Sequence, residues 1–133
     1  MTAAAENKTE TTGPTAGTPW PVELKLTRDT GVLTVAFDTG ETFSLAAEYL
    51  RVLSPSAEVT GHGGPRKTVP GKRDVRIDRL EPVGNYAVRI LFDDGHDTGL
   101  FSWAYLHELG RTHEDKWATY LTALDHEGLS RAP

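Results

Sequence analysis

From Trp20 onward, apolar and polar residues alternate with period two. Val22, Leu24 and Leu26 interleave with Glu23, Lys25 and Thr27, so the three apolar side chains are expected on one face of a strand. Arg28-Asp29-Thr30-Gly31 reverses the chain, Leu33, Val35 and Phe37 resume the alternation, Asp38-Thr39-Gly40 turns it again, and Phe43 and Leu45 lie on a third short strand. This pattern predicts an antiparallel meander. Ser44 is placed to cap a short helix carrying Leu45, Tyr49, Leu50 and Leu53 close to one face, and Ser54-Pro55 stops it.

Residues 60–73 hold four Gly and two Pro with neither period, which reads as a loop. Alternation returns at Val75 and Ile77, slips phase at Asp78-Arg79-Leu80 as a bulge would make it do, and continues through Tyr86, Val88, Ile90 and Phe92 after a turn at Gly84-Asn85. Asp93-Asp94-Gly95-His96 turns the chain into a last strand over 98–101. Ser102 then suits the N-cap of a helix from Trp103 to Leu109, with Gly110 as its left-handed stop. Thr112 and Asp115 have the spacing of a capping box, and Trp117, Tyr120, Leu121 and Leu124 fall on one helical face that ends at Gly128. This helix is expected to lie across the sheet with Trp117 buried against the strands. No repeat is evident.

The fold class these elements predict is α+β: one twisted antiparallel sheet of five or six strands, a short helix after the third strand, and two C-terminal helices packed on the sheet. Residues 1–19 carry scarcely any large apolar side chain and read as a disordered tail; 20–128 form a single domain and 129–133 a C-terminal tail.

Composition narrows the function classes. The chain has 133 residues and no cysteine, which removes disulfide scaffolds, thiolate zinc sites, cysteine-ligated clusters and cysteine nucleophiles. A net charge of −5 disfavours a nucleic-acid coat or an anionic membrane as partner. No membrane span or secretory leader is legible, so a cytoplasmic location is expected.

Two constellations carry candidate chemistry. If the loop folds over the turn, His62, His96 and Asp94 or Asp97 would make a mixed imidazole and carboxylate site suited to zinc or iron. The competing reading has His96 fixing the shape of a hairpin turn. Arg66, Lys67, Lys72 and Arg73 form a basic cluster in an acidic chain, either a docking patch or a solvated loop. Gly61 to Thr68 approaches a phosphate loop, but Arg66 stands where glycine is needed, and Pro65 and Pro70 forbid the following helix. Trp103 and Tyr105 would wall a shallow pocket or belong to the core. His107, His113 and His126 read as surface residues. No nucleophile-and-base motif is present, and Asp93 and Asp94 are adjacent turn residues whose side chains point apart.

Three strings go further. Leu50-Arg51-Val52-Leu53-Ser54-Pro55-Ser56-Ala57-Glu58-Val59, Glu81-Pro82-Val83-Gly84-Asn85-Tyr86-Ala87-Val88, and Phe92-Asp93-Asp94-Gly95-His96-Asp97-Thr98-Gly99 with Ser102-Trp103 strongly resemble the DUF971 family, the gamma-butyrobetaine-hydroxylase-like N-terminal domain, over about residues 20–109. The chain looks like the small bacterial members made of this domain alone, for which the resemblance implies no particular activity. In the hydroxylase the equivalent domain precedes an iron- and 2-oxoglutarate-dependent oxygenase domain that holds all the catalytic ligands, and it carries a structural zinc on three cysteines and a histidine. Those cysteines would fall near Ser54, Ser56 and Val59, and the histidine near His96, so the thiolates are missing here. A related domain is fused to P-loop ATPases of iron–sulfur carrier type, which implies an accessory role.

The expected function is therefore a small non-catalytic accessory or interaction domain. Residues 61–73 and 93–103, with Arg66, Lys67, Lys72, Arg73, Asp93 and Trp103, would face an unidentified protein partner, with no nucleic acid or membrane involved. By analogy the partner belongs to metal or iron–sulfur metabolism. The alternative class is a zinc- or iron-binding domain using His62 and His96; an enzyme acting alone ranks lowest.

Overall fold

In the computed structural model, residues 19–55 and 68–133 are described. Strands β1 (Pro21–Thr27), β2 (Val32–Phe37) and β3 (Thr42–Ala46) precede helix α1 (Ala47–Val52); β4 (Ile77–Val83), β5 (Ala87–Phe92) and β6 (Gly99–Ser102) precede helices α2 (Trp103–Arg111) and α3 (His113–His126). Each strand trio is an antiparallel meander joined by tight turns, as the alternation predicts. Gly31, Gly84 and Gly95 adopt positive φ in those turns, a region where Cβ would be strained.

The expected single sheet is corrected to two three-stranded sheets, β1-β2-β3 and β4-β5-β6. Alternation states which face of a strand is apolar; it does not state whether two apolar faces lie side by side or meet. Here they meet. Leu33, Val35, Phe37 and Leu45 from the first sheet share one buried cluster with Ile77, Val88, Ile90, Phe92 and Phe101 from the second, which removes both faces from water at once. The Arg28 guanidinium ties the layers by donating to the Asp78 carbonyl at 2.7 Å.

Local departures each have a cause. A register shift between Pro21 and Glu23 throws Val22 out of the alternation, leaving it 65% exposed. The slip expected near Asp78 is present between Ile77 and Arg79. Ser44 does not cap α1: it pairs with Thr34 inside β3, and the helix starts after Ala46, where the Ala47 N–H donates to the Gly31 carbonyl at 2.7 Å. Tyr86 stays in the turn before β5 and is exposed. Ser102 caps α2 as expected, accepting from the Tyr105 N–H at 3.1 Å.

Gly110 does not stop that helix. It lies within it, and the Phe43 ring packs so closely that a Cβ there would sit 2.3 Å from the ring. The Thr112 and Asp115 capping box does not form either; the Thr112 hydroxyl donates back to the Glu108 carbonyl, bridging α2 into α3. Helix α3 packs on Val52 and Val69 through Tyr120 and Leu124 and not across the strands. Trp117 is only partly buried, edge-on to Tyr49, and Leu121 is exposed. Gly128 ends the helix with φ +69°. Residues 130–131 then run back beside the 71–73 segment, where the Gly71 and Arg73 amides donate to the Ser130 and Arg131 carbonyls at 2.9 and 3.0 Å. Among the described residues no helix is long and apolar enough to cross a membrane.

Candidate functional site

Helix α1 is six residues long and every one of them is buried, including Glu48 and Arg51. A carboxylate and a guanidinium withdrawn from water must find partners, and each does, on opposite arms of the fold. Arg51 Nε donates to Asp94 Oδ2 at 2.8 Å, and Lys72 Nζ reaches the same oxygen at 2.6 Å. Asp94 Oδ1 accepts from the His96 N–H at 3.1 Å, folding the 94–96 turn on itself. Burial alone would raise the Asp94 pKa, but the hydrogen bonds from Lys72, the His96 amide and Arg51 outweigh it and hold the group down at about 2. Asp94 is therefore ionised throughout the neutral range and serves as an anchor; a proton donor or acceptor needs a pKa nearer the working pH.

Beside this triad the Ser54 hydroxyl, at the end of α1, shares a 3.0 Å hydrogen bond with His96 Nε2. Asp93 is used in the backbone frame, its Oδ1 accepting from the Arg76 N–H at 3.0 Å. Of the basic residues, Lys72 is drawn onto Asp94, while Arg73 is half exposed with Asp74 at 3.9 Å. Thus Lys72 meets Asp94, and the Asp94 carboxylate meets the His96 amide. His62, Arg66 and Lys67 lie outside the described residues.

Trp103 belongs to the core. It is 8% exposed, donates from Nε1 to the Asn85 carbonyl at 2.9 Å and meets the edge of Trp20. Tyr105 donates its hydroxyl to the Leu53 carbonyl at 2.6 Å, so the two aromatics fasten α2. Two histidines read as surface residues are packed: His107 pairs with Glu41 at 2.6 Å between Phe37 and Phe43, and His113 lies against the Tyr49 ring at 4.3 Å. His126 is exposed, as expected.

The second arm of α1 went unread in the sequence. Glu48 accepts a two-pronged hydrogen bond from Arg131, 2.8 Å from Nε and 2.7 Å from Nη2, and the same guanidinium lies 5.3 Å from the Trp117 ring centre. Between the end of α1 and α3 lies an open groove of about 490 Å³, lined among others by Leu53, Val69 and Tyr120 with Asp115 and Lys116.

The zinc site that the resemblance implies can be tested on its donors. The position of one expected thiolate holds Ser54, a neutral hydroxyl already bonded to His96, and residues 56 and 59 lie outside the described residues. With no cysteine in the chain, a structural zinc of the three-cysteine, one-histidine kind does not fit these residues. Among the described residues no three His, Asp or Glu side chains form a group able to hold a metal ion.

Comparison with known proteins agrees with this architecture. A solution NMR structure 44% identical to the chain superposes with a TM-score of 0.78, covering 88% of this chain and 93% of its own. A second NMR structure, 49% identical, gives 0.77 with 90% of each covered. A crystal structure from Acidithiobacillus ferrooxidans, a protein of unknown function in the DUF971 family, is 36% identical with a TM-score of 0.57, covering 68% of this chain and 91% of that one. No curated protein matches. The model of the family described as gamma-butyrobetaine hydroxylase-like, N-terminal, matches residues 24–107. With these matches the resemblance read from the three strings becomes an assignment: the chain belongs to the gamma-butyrobetaine hydroxylase-like N-terminal family, DUF971.

Proposed function

We propose that the domain is a non-catalytic accessory module that binds another protein through the face where the basic segment ending at Arg73 meets the 93–96 turn. The observation that carries the reading is the Lys72–Asp94 ion pair, which joins those two segments and leaves the Arg73 side chain half exposed beside them. The chemistry of the corner supports a binding role. Its carboxylate is locked in the ionised form, and the Ser54 hydroxyl is fully buried, out of reach of a substrate. By analogy with the fused relatives, the partner is a component of metal or iron–sulfur metabolism in the cytoplasm.

The competing class is a zinc or iron centre on His62, His96 and Asp94. Against it weighs the engagement of both Asp94 oxygens, one by two cations and the other by an amide. Capture from the source cell tests the two together. The chain is expected to recover one partner stoichiometrically, and Arg66→Glu/Lys67→Glu/Arg73→Glu to lose it while remaining folded. Equal recovery by the triple variant, or stoichiometric zinc or iron in tag-free protein, overturns the proposal.

A further inference from the structure

The C-terminal residues are held like a ligand. Glu48 is 93% withdrawn from solvent, and a carboxylate buried to that degree demands a cation. The surroundings select which cation. Two parallel donors at 2.7 and 2.8 Å match the planar fork of a guanidinium, and the indole of Trp117 offers a flat face to its other side. The amides of Gly71 and Arg73, two residues apart, then donate to the carbonyls of Ser130 and of the arginine itself. Recognition thus uses one guanidinium and two successive main-chain carbonyls, at a bend of the chain.

The hold is also reached from solvent. Residues flanking Arg131 are exposed, and the arginine side chain is itself 40% exposed, so it lies at the solvent end of the site. Glu48 further holds the Arg131 guanidinium in its charged form, its hydrogen bond raising the pKa against the opposing effect of burial.

We propose that Glu48, Trp117 and the Gly71 and Arg73 amides form an arginine-recognising peptide site. The chain's own Ser130–Arg131 fills it here, and an arginine-bearing segment of a partner protein takes it when these residues are displaced. The site does not rest on the Arg73 face proposed above, and the two tests fail separately.

Titration of the Arg131→Ala chain with the acetylated peptide Leu-Ser-Arg-Ala-Pro, matching residues 129–133, decides it by NMR. Saturable shifts are expected at the Gly71 and Arg73 amides and the Trp117 indole. Replacing the peptide arginine by lysine is expected to weaken binding about ten-fold or more, since the fork is lost. Glu48→Gln/Arg131→Ala is expected to abolish it. A folded Arg131→Ala chain with no saturable shift, or equal affinity for the lysine peptide, overturns the proposal. If Arg131→Ala does not fold, the same titration is made on Arg131→Gln, whose amide still donates to Glu48, and on the wild-type chain. There, excess peptide must displace the tail amides; no displacement at saturating peptide overturns it.

Discussion

The inter-sheet core and the corner around α1 are both dry, yet they are specified in opposite ways. Leu33, Val35, Val88 and Phe101 are interchangeable in kind: each is needed for volume, and the alternation of its strand puts it inside. Glu48, Arg51 and Ser54 are buried for their partners, which stand 83, 43 and 42 residues away in the chain. A core of the first sort degrades gradually under substitution, and a corner of the second sort fails when one member is lost.

The comparison can be broken by graded substitutions, read from urea midpoints. Phe101→Ala should cost most, about 3–5 kcal/mol, because it empties the middle of the shared core. Arg51→Ala should cost about 3 kcal/mol by leaving Asp94 half-paired, and Arg51→Met paired with Asp94→Leu should recover most of that loss. A double variant no better than the single one would mean the corner is held by something other than charge pairing. Gly110→Ala should cost about 1–3 kcal/mol by forcing the Phe43 ring aside, and Ser102→Ala about 1 kcal/mol through the lost cap. Arg79→Ala, which removes an exposed side chain paired with Glu81, should leave the midpoint nearly unchanged.

Acid sharpens the same contrast. The folded Asp94 pKa lies below that of the unfolded chain, so its contribution to stability is present above about pH 4 and is lost as pH falls towards about 2. Asp94→Asn should lack that segment of the stability profile. An identical acid profile in the two proteins would show that the ion triad contributes nothing to folding.

The same division decides what the sequence makes legible. Strands, turns, the bulge near Asp78, the Ser102 cap and the end of α3 depend on neighbours a few residues away, and the pattern exposes them. The meeting of the two sheets does not, because alternation is the same whether a strand faces another layer or extends its own. The pattern marks only the apolar face of α1; nothing near Glu48 and Arg51 records that residues 130–131 and the 93–96 turn cover them. Gly110 reads as a left-handed stop, since the reason for it, the Phe43 ring, is on another element. The Asp94 and His96 turn is visible in the sequence because Asp94 folds it locally onto the His96 amide, whereas Arg51 and Arg131 carry no local mark.

Gly99 extends this coupling to a pair of positions 45 apart. A methyl group there would fall 2.3 Å from the Ser54 hydroxyl oxygen but 3.5 Å from its β-carbon, so of the serine it displaces the oxygen first. Drift at the two positions is therefore not independent. A lineage that acquires alanine at 99 forfeits the bond to His96 before it forfeits any packing, and one that first trades the serine for alanine makes room there for the methyl group, leaving the Phe101 ring, 3.1 Å away, as the remaining close neighbour.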